Sequence, residues 1–348
     1  MQSSQALHAT RKETTREEAL ALLRQIAPLL KQAARAVPRD GELAQGLRQS
    51  AREADSMVQE LYELVHPSGI RSLRVSPDGT YLFTGDDSGC VRRWDTATRK
   101  LETEVVLGTC RRLYSLAIAS DGTALVTGSV DVHSLQHHVK IAGGHGQMVH
   151  GVAYGANRFI TGSKDCTVKV WDYATMKCVQ TFGGHGDTVV AVDILPDGSV
   201  GVSASLDGTV RTWDLVRNRQ RFVMNTTDSK IHCVALSRDG RFIAAGQSGG
   251  CICLWDGIGG EVIVRYHHPG VAVSSIVFSP DGAYLYAGTA HGKVSAWNTA
   301  SGSRTASFKW NRVDSVLLSI PDSGDTIYAA CGSAVIPLSA PALIPIIE

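Results

Sequence analysis

The hexamer TVKVWD at 167–172 recurs as TVRTWD at 209–214 and as CICLWD at 251–256, so the copies start 42 residues apart. In each copy apolar residues alternate with other residues, which is the pattern of a β-strand with one buried face. Further Trp-Asp or Trp-Asn pairs extend the series in both directions. The tryptophans that mark it are Trp94, Trp171, Trp213, Trp255 and Trp297. This interval predicts a chain built from repeated β-sheet modules.

Two more repeat units lack the tryptophan. The gap of 77 residues between the first two tryptophans contains LVTGSVDVHSLQHH at 125–138, where a His-His pair stands in place of Trp-Asp. Beyond Trp297 another 41 residues reach Leu338, at the end of a similar apolar run. The turn signals PDG, SDG and RDG recur between the runs. The sequence therefore predicts seven units between residues 66 and 348.

Residues 15–65 follow a helical period instead of a period of two. Two apolar seams with spacings of three and four residues are separated by the breaker at 38–41, and residues 1–14 form a polar tail. We predict a coiled-coil-like αα-hairpin that tethers the chain to a partner. The alternative is that one or both seams pack on another protein chain. The residues predicted to form this tether are Leu20, Leu23, Leu30, Leu47, Val58 and Leu61.

Composition narrows the functional classes. The formal charge is +1, from 34 basic and 33 acidic residues, so the chain has no overall field that would attract RNA or an anionic membrane. No apolar run reaches the length of a membrane span, and no secretory signal is present at the start. Eight cysteines are scattered without a Cys-x-x-Cys pair, which favours reduced thiols and an intracellular protein. We expect the cytoplasm, with the nucleus or the cytoskeleton as alternatives.

The repeats resemble those of the WD-repeat family, whose members include G-protein β subunits. The resemblance rests on Gly-His at 144–145 and 184–185, on TGSKD at 161–165 and SASLD at 203–207, and on the terminal Trp-Asp. It covers about four-fifths of the chain. It implies that each repeat forms a four-stranded blade, and that the fold is an all-β, seven-bladed β-propeller with the helical hairpin as an N-terminal extension.

The resemblance also implies a structural network of His, Ser or Thr, Asp and Trp in each blade. The residues that match it are His145, Thr161, Asp165, Trp171, His185, Ser203, Asp207 and Trp213. The first blade has His66, Thr84 and Trp94 but Ser88 in place of the aspartate. A His/Ser/Asp set resembles the parts of a hydrolase. Because a similar set recurs in the neighbouring repeat and is joined to a tryptophan, we interpret it as structural.

Other motifs carry little chemistry. His133 and His137 have a spacing that binds zinc only on a helix, and the surrounding pattern is that of a strand. The GGHG stretches do not continue as a nucleotide-binding loop. We therefore predict no catalytic residue, no metal and no cofactor, so the protein is not expected to be an enzyme.

Partner contacts are expected at one face of the propeller, by analogy with the family. The residues assigned to it are Arg112, Met148, Lys164, Thr188, Leu206 and Lys230. The basic residues between Arg92 and Arg112 offer a contact for RNA or an acidic protein, but a solvated outer edge is the favoured interpretation. Either 60–65 or 342–348 supplies the strand that closes the ring, and the helical seam through 60–65 favours the C-terminal segment.

The favoured function is a non-catalytic protein–protein interaction scaffold within a multiprotein assembly, because the repeats hold no reactive set that occurs only once. A signalling subunit like a G-protein β subunit is one alternative. A component of an RNA-processing or ribosome-assembly particle is another, with RNA as a less favoured direct partner.

Overall fold

The computed structural model describes residues 45–46, 49–50, 64–107, 113–119, 124–127, 132–134, 139–141, 144–226, 230–267, 271–310 and 314–340. The chain divides into one unit at Met1–Leu64 and a second at Val65–Glu348. Residues 45, 46, 49 and 50 are helical. The remainder of the predicted hairpin, including all six tether residues, lies outside the described part of the chain.

Within the described residues, twenty-eight strands form seven four-stranded sheets, and every strand pair with a described register is antiparallel. Sheet 1 consists of β2 (Ile70–Val75), β3 (Tyr81–Asp86), β4 (Cys90–Asp95) and β5 (Leu101–Val106), and sheet 2 of β6 (Ser115–Ile118), β7 (Ala124–Thr127), β8 (Val132–Ser134) and β9 (Val139–Ile141). Sheet 3 consists of β10 (Val149–Gly155), β11 (Arg158–Ser163), β12 (Val168–Asp172) and β13 (Lys177–Phe182), and sheet 4 of β14 (Val189–Ile194), β15 (Val200–Ser205), β16 (Thr209–Asp214) and β17 (Arg219–Asn225).

Sheet 5 consists of β18 (Ile231–Leu236), β19 (Phe242–Gln247), β20 (Cys251–Asp256) and β21 (Val262–His267), and sheet 6 of β22 (Val273–Phe278), β23 (Tyr284–Thr289), β24 (Lys293–Asn298) and β25 (Arg304–Lys309). Sheet 7 consists of β26 (Val316–Ser319), β27 (Thr326–Cys331), β28 (Ala334–Ser339) and β1 (Leu64–Val65). The first strands of successive sheets contact each other in a closed cycle, in which β26 of sheet 7 meets β2 of sheet 1. This arrangement is an all-β propeller, as the sequence predicts.

The repeated hexamer is the third strand of its sheet. In β16 the side chains of Val210 and Trp213 are buried, while Arg211 is only half-buried. The turns between the first and second strands of several sheets contain the PDG and RDG signals. In one of them Gly240 adopts φ 72°, which suits a residue without a Cβ, and Asp239 accepts the backbone N–H of Arg241. We call the end of the ring that carries these turns the lower rim.

The core lies between neighbouring sheets rather than within one sheet. One cluster joins Ile160 and Val170 of sheet 3 to Val189, Trp213 and Leu215 in and after sheet 4. Similar clusters join sheet 5 to sheet 6 and sheet 6 to sheet 7. Because each apolar face is covered by the next sheet, burial is shared around the whole ring.

Side chains on the first strands also connect neighbouring sheets around the central channel. The backbone N–H of Leu318 donates to Ser275 Oγ over 3.1 Å, and that of Leu236 donates to Asp193 Oδ2 over 2.8 Å. The backbone N–H of Val75 reaches Ser319 Oγ at 2.9 Å in the same way. These bonds satisfy amide groups at the channel wall, where the strands have no further sheet neighbour.

The ring is closed by the N-terminal segment, so the sequence-based preference for 342–348 was wrong. β1 is the fourth strand of sheet 7 and lies beside β28. The backbone N–H of His66 donates to Ser333 O and that of Ile70 to Gly332 O, both at 2.7 Å. Sequence periodicity missed this pairing because β1 is only two residues long and its residues also fit the helical seam.

Close packing between sheets 3 and 4 predicts a sharp difference between two glycines. A Cβ on Gly155 would lie 2.3 Å from Leu195 O, whereas a Cβ on Gly183 would have no atom within 4 Å. We expect Gly155→Ala to lower the free energy of unfolding in urea by about 1–3 kcal/mol. Gly183→Ala is the control and should leave it unchanged or raise it by up to about 1 kcal/mol. Equal effects would contradict this packing.

Candidate interaction surface and the networks beneath it

The four residues assigned to sheet 4 meet in one buried chain of hydrogen bonds. Trp213 Nε1 donates to Ser203 Oγ at 2.9 Å, and His185 Nε2 lies 2.8 Å from the same hydroxyl. His185 Nδ1 lies 3.1 Å from Asp207 Oδ2, which also accepts the backbone N–H of Gly186 at 2.8 Å. Each polar group in the chain therefore has a partner.

Sheet 3 repeats this arrangement with threonine in place of serine. Trp171 Nε1 donates to Thr161 Oγ1 at 2.8 Å, and His145 Nε2 lies 2.7 Å from that oxygen. His145 Nδ1 lies 2.9 Å from Asp165 Oδ2. The structure thus brings together all eight residues that the sequence assigned to these networks, in two sets of four.

The electrostatics keep the histidines neutral and the aspartates charged at neutral pH. Burial lowers the pKa of His185, and this outweighs the opposing effect of Asp207. For Asp207 burial raises the pKa, but hydrogen bonds from Gly186 and Thr209 outweigh it and bring the pKa to about 2. A neutral imidazole whose Nδ1–H donates to the carboxylate leaves Nε2 to accept from the hydroxyl.

These sets do not fit a catalytic site. Ser203 and Thr161 are 0% exposed, so neither hydroxyl reaches solvent. Both hydroxyl oxygens accept a tryptophan N–H, and nucleophilic catalysis requires a hydroxyl that a substrate can reach. In the part of the chain that the structure describes, no group of three or more His, Cys, Asp or Glu side chains could hold a metal ion. His133 lies in strand β8, and His137 is outside the described residues.

Sheet 1 uses a different buried network, which sequence comparison missed. Trp94 Nε1 donates to Thr84 Oγ1 at 3.0 Å, as the corresponding tryptophans do in sheets 3 and 4. The carboxylate comes from Asp86, which accepts the backbone N–H of Ser88 at 2.9 Å and forms an ion pair with Arg92. Asp86 lies two positions before the expected aspartate, at the end of β3, so alignment of the repeats did not select it.

The interpretation of Arg92 as part of a solvated edge was therefore wrong. Arg92 is 5% exposed and also contacts Glu104 at 3.1 Å. The next residue, Arg93, pairs with Glu102 at 3.1 Å and lies over the ring of Tyr81. An uncompensated guanidinium cannot be buried cheaply, so the nearby acids determine where these side chains lie.

Five of the six residues predicted to contact partners are described, and they lie at the opposite end of the ring from the lower rim. The backbone N–H of Lys164 donates to Met148 O at 2.8 Å, and that of Leu206 donates to Thr188 O at 3.0 Å. Lys230 O accepts from Ser248 in the same way, at 2.9 Å. Met148 therefore lies beside Lys164 in sheet 3, Thr188 beside Leu206 in sheet 4 and Lys230 beside Ser248 in sheet 5.

Exposure separates these residues. Met148 is 40% exposed, Lys164 and Lys230 are exposed, and Leu206 is half-buried. Thr188 is buried at 8%, and Arg112 lies outside the described residues. We call the four accessible side chains the interaction rim: Met148, Lys164, Leu206 and Lys230. The rim combines apolar and cationic groups, as protein interfaces do.

Two histidines next to the interaction rim were not selected from the sequence. His150 follows Met148 on β10 and packs on Tyr114 with ring centroids 4.7 Å apart. His232 follows Lys230 on β18. Burial lowers the pKa of both imidazoles, and Lys164 and Lys230 respectively lower it further. The rim therefore carries its positive charge on lysine at neutral pH.

Comparison with known proteins agrees with this geometry. The profile of the family described as "WD domain, G-beta repeat" matches residues 58–95, 133–172, 176–214, 219–256 and 260–298, more than half of the chain. The fold and its buried networks define a β-propeller of repeated sheets. The chain belongs to the WD-repeat family.

Individual relatives match smaller parts. A guanine nucleotide-binding protein subunit beta-like protein from Encephalitozoon cuniculi is 31% identical over 36% of this chain and 41% of its own length. Polyadenylation factor subunit 2 from Cryptococcus neoformans is 33% identical over 34% of this chain and 18% of its own length. A U3 snoRNP-associated protein-like EMB2271 from Arabidopsis thaliana is 23% identical over 37% of this chain and 33% of its own. The chain spans less than half the length of each.

Among solved structures, that of U3-55K superposes with a TM-score of 0.71 at 21% sequence identity. The match covers 79% of this chain and 98% of that one, and it supports the fold. Within the described residues, no helix combines the length and apolar character needed to cross a membrane.

The network in sheet 4 predicts a measurable cost for loss of its central hydroxyl. Ser203→Ala would leave Trp213 Nε1 without its acceptor and His185 without its donor. We expect the free energy of unfolding to fall by about 1–3 kcal/mol. Ser301→Ala, at an exposed turn, is the control and should stay within about 0.5 kcal/mol. A Ser203→Ala protein as stable as the control would show that the network contributes nothing.

His66 predicts a pH dependence of stability. Burial, followed by the charge of Arg92, lowers the pKa of His66 from 6.5 to about 4. Below pH 6.5 the unfolded imidazole therefore binds a proton that the folded one does not, so stability falls as the pH drops from 7 to 4. This residue should account for up to about 3 kcal/mol of that loss. Denaturant titrations should show a flatter profile for His66→Gln, and an unchanged slope would refute the assignment.

Proposed function

We propose that this chain is a non-catalytic, seven-bladed WD-repeat scaffold, one subunit of a larger multiprotein assembly. The observation that carries the proposal is the contrast between the buried sets and the interaction rim. The His, Ser or Thr, Asp and Trp side chains are enclosed and paired with one another. The rim residues are accessible along three consecutive sheets. Such a molecule offers rigid surfaces, and the hydroxyls of its two His, Ser or Thr, Asp and Trp sets are closed to a substrate.

The N-terminal segment completes the proposal. Residues 1–14 act as a tail and the segment that starts at residue 15 as a helical tether. The predicted boundary at 65 is too late, because Leu64–Val65 form β1 of sheet 7 and belong to the propeller. The two apolar seams of the tether supply a second contact with the assembly, independent of the rim. The seven described cysteines are free thiols, which supports an intracellular location with the cytoplasm as first choice.

A component of an RNA-processing particle is the second candidate. It is favoured by relatives whose names refer to a polyadenylation factor and to a U3 snoRNP. The structure gives little support to direct RNA binding through the basic residues of sheet 1. Arg92 is buried and Arg93 is paired with Glu102. We therefore place any such role in contacts with proteins of the particle. A G-protein-β-like signalling role has the named relative as its support.

Quantitative affinity purification of the full-length chain tests the scaffold. The tether variant is Leu23→Asp with Leu30→Asp, and the rim variant is Lys164→Glu with Lys230→Glu. Lys177→Glu with Lys309→Glu changes the same charge on exposed outer strands and serves as the control. We expect the tether and rim variants each to lose a reproducible set of partners at least about tenfold, because a reversed charge or a buried carboxylate opposes binding.

The control should recover the same partners as the unaltered chain. Full recovery by both test variants would contradict the scaffold proposal. Partners lost from the tether variant but kept by the rim variant would support the tether and refute the rim. Any shorter chain used to separate the two regions must retain Leu64 and Val65, because β1 completes sheet 7.

A further inference from the structure

The central channel widens towards the lower rim into a cavity of about 430 Å³. Its wall is formed by the first strands of the sheets, and Pro77 and Pro196 lie at its mouth. The volume is in the range of small-molecule sites. Four charged side chains line it: Arg74, Asp193, Arg238 and Asp322.

Two of these charges cancel at the mouth. Arg238 forms an ion pair with Asp322, and both side chains are nearly half exposed. The other two lie deeper, on β2 of sheet 1 and β14 of sheet 4, three steps apart around the ring. No ion pair joins Arg74 to Asp193 among the contacts of the described residues, although each affects the other electrostatically. Arg74 and Asp193 therefore line the same cavity without forming an ion pair.

Arg74 and Asp193 differ in how well their polar atoms are satisfied. Asp193 accepts two backbone N–H groups, from Leu236 at 2.8 Å and from Ile194 at 2.9 Å. The Arg74 side chain makes a single hydrogen bond among the described residues, from one terminal nitrogen to Leu73 O at 3.1 Å. A guanidinium has five N–H donors in a planar fork. Most of the donors of Arg74 are therefore available to a ligand in the cavity.

We propose that this cavity binds a small oxyanion, of the kind carried by phosphate or carboxylate compounds, through a two-point contact with the Arg74 guanidinium. A planar fork matches two oxygens of such an anion, and the partly desolvated channel strengthens the attraction. Ser319 lines the same cavity, and its hydroxyl accepts Val75 N–H, so its proton can donate to the ligand. The inference is independent of the scaffold proposal, which concerns the opposite rim.

Asp193 makes the affinity of the cavity for an anion depend on pH. Its carboxylate opposes an anion while it is charged, and burial raises its pKa. As the pH falls through that raised pKa, the carboxyl becomes neutral and the opposition disappears. Of the other charged side chains that line the cavity, Arg238 and Asp322 are paired with each other at the mouth. Affinity for an anion that does not itself titrate should therefore rise as the pH is lowered towards the raised pKa of Asp193.

Isothermal titration calorimetry of the full-length chain tests the site at constant ionic strength, with sulfate as the tetrahedral probe and acetate as the carboxylate probe. We expect saturable binding of at least one probe at pH 7. Arg74→Gln should weaken it at least about tenfold, and Arg74→Lys should restore only part of it because a lysine lacks the fork. Arg71→Gln lies on the same strand with a guanidinium already paired to Asp87, and it should bind within about twofold of the unaltered chain.

Asp193→Asn provides a test that does not depend on the Arg74 variants folding. The amide oxygen can keep the bond from Leu236 N–H that joins sheets 4 and 5, while the bond from the neighbouring Ile194 N–H is lost and the opposing charge is removed. We expect about tenfold tighter sulfate binding at pH 7 and no further gain at pH 5. Sulfate binding alone would assign the site to phosphate-like ligands, and acetate binding alone to carboxylates. Absence of saturable binding of both, equal binding by Arg74→Gln, or unchanged binding by Asp193→Asn would overturn the proposal.

Discussion

Each four-stranded sheet of this protein has apolar side chains that only a neighbouring sheet covers, so the fold depends on closing the ring. The first strands meet in a cycle from β2 to β26 and back, and β1 joins the last sheet beside β28. An open end would expose one sheet face to water and leave strand edges unpaired. The bonds from His66 to Ser333 and from Ile70 to Gly332 therefore matter beyond their individual strength.

The polar networks provide hydrogen-bond partners for tryptophan N–H groups that closure of the ring buries. Sheets 1, 3 and 4 each bring a tryptophan N–H into the interior, and that group needs an acceptor. Sheets 3 and 4 supply a hydroxyl, a neutral histidine and an aspartate in the same order. Sheet 1 keeps the hydroxyl but ends in an Asp86–Arg92 ion pair. Different side chains thus satisfy the buried tryptophan N–H. The His, Ser or Thr and Asp side chains that resemble a hydrolase set are hydrogen-bonded to one another and to that tryptophan.

The two surfaces proposed to bind other molecules lie at the two ends of the ring. The interaction rim presents Met148, Lys164, Leu206 and Lys230 on loops that connect successive strands. The lower rim opens into a cavity with Arg74 on its wall. A rigid ring holds both surfaces at fixed positions, so a partner on one end and a small ligand at the other need not compete. This separation suits a protein that works by presenting surfaces.

The sequence by itself determined the repeat, the strand that carries each tryptophan and the grouping of His185, Ser203, Asp207 and Trp213. These features are local and recur every 42 residues, so one copy predicts the next. Only the tertiary structure decided that β1 closes the ring, that Asp86 neutralises Arg92, and that Arg74 and Asp193 line one cavity. Those relations occur once each, and most of them join residues far apart in the chain. Periodicity carries no information about a contact that closure alone creates.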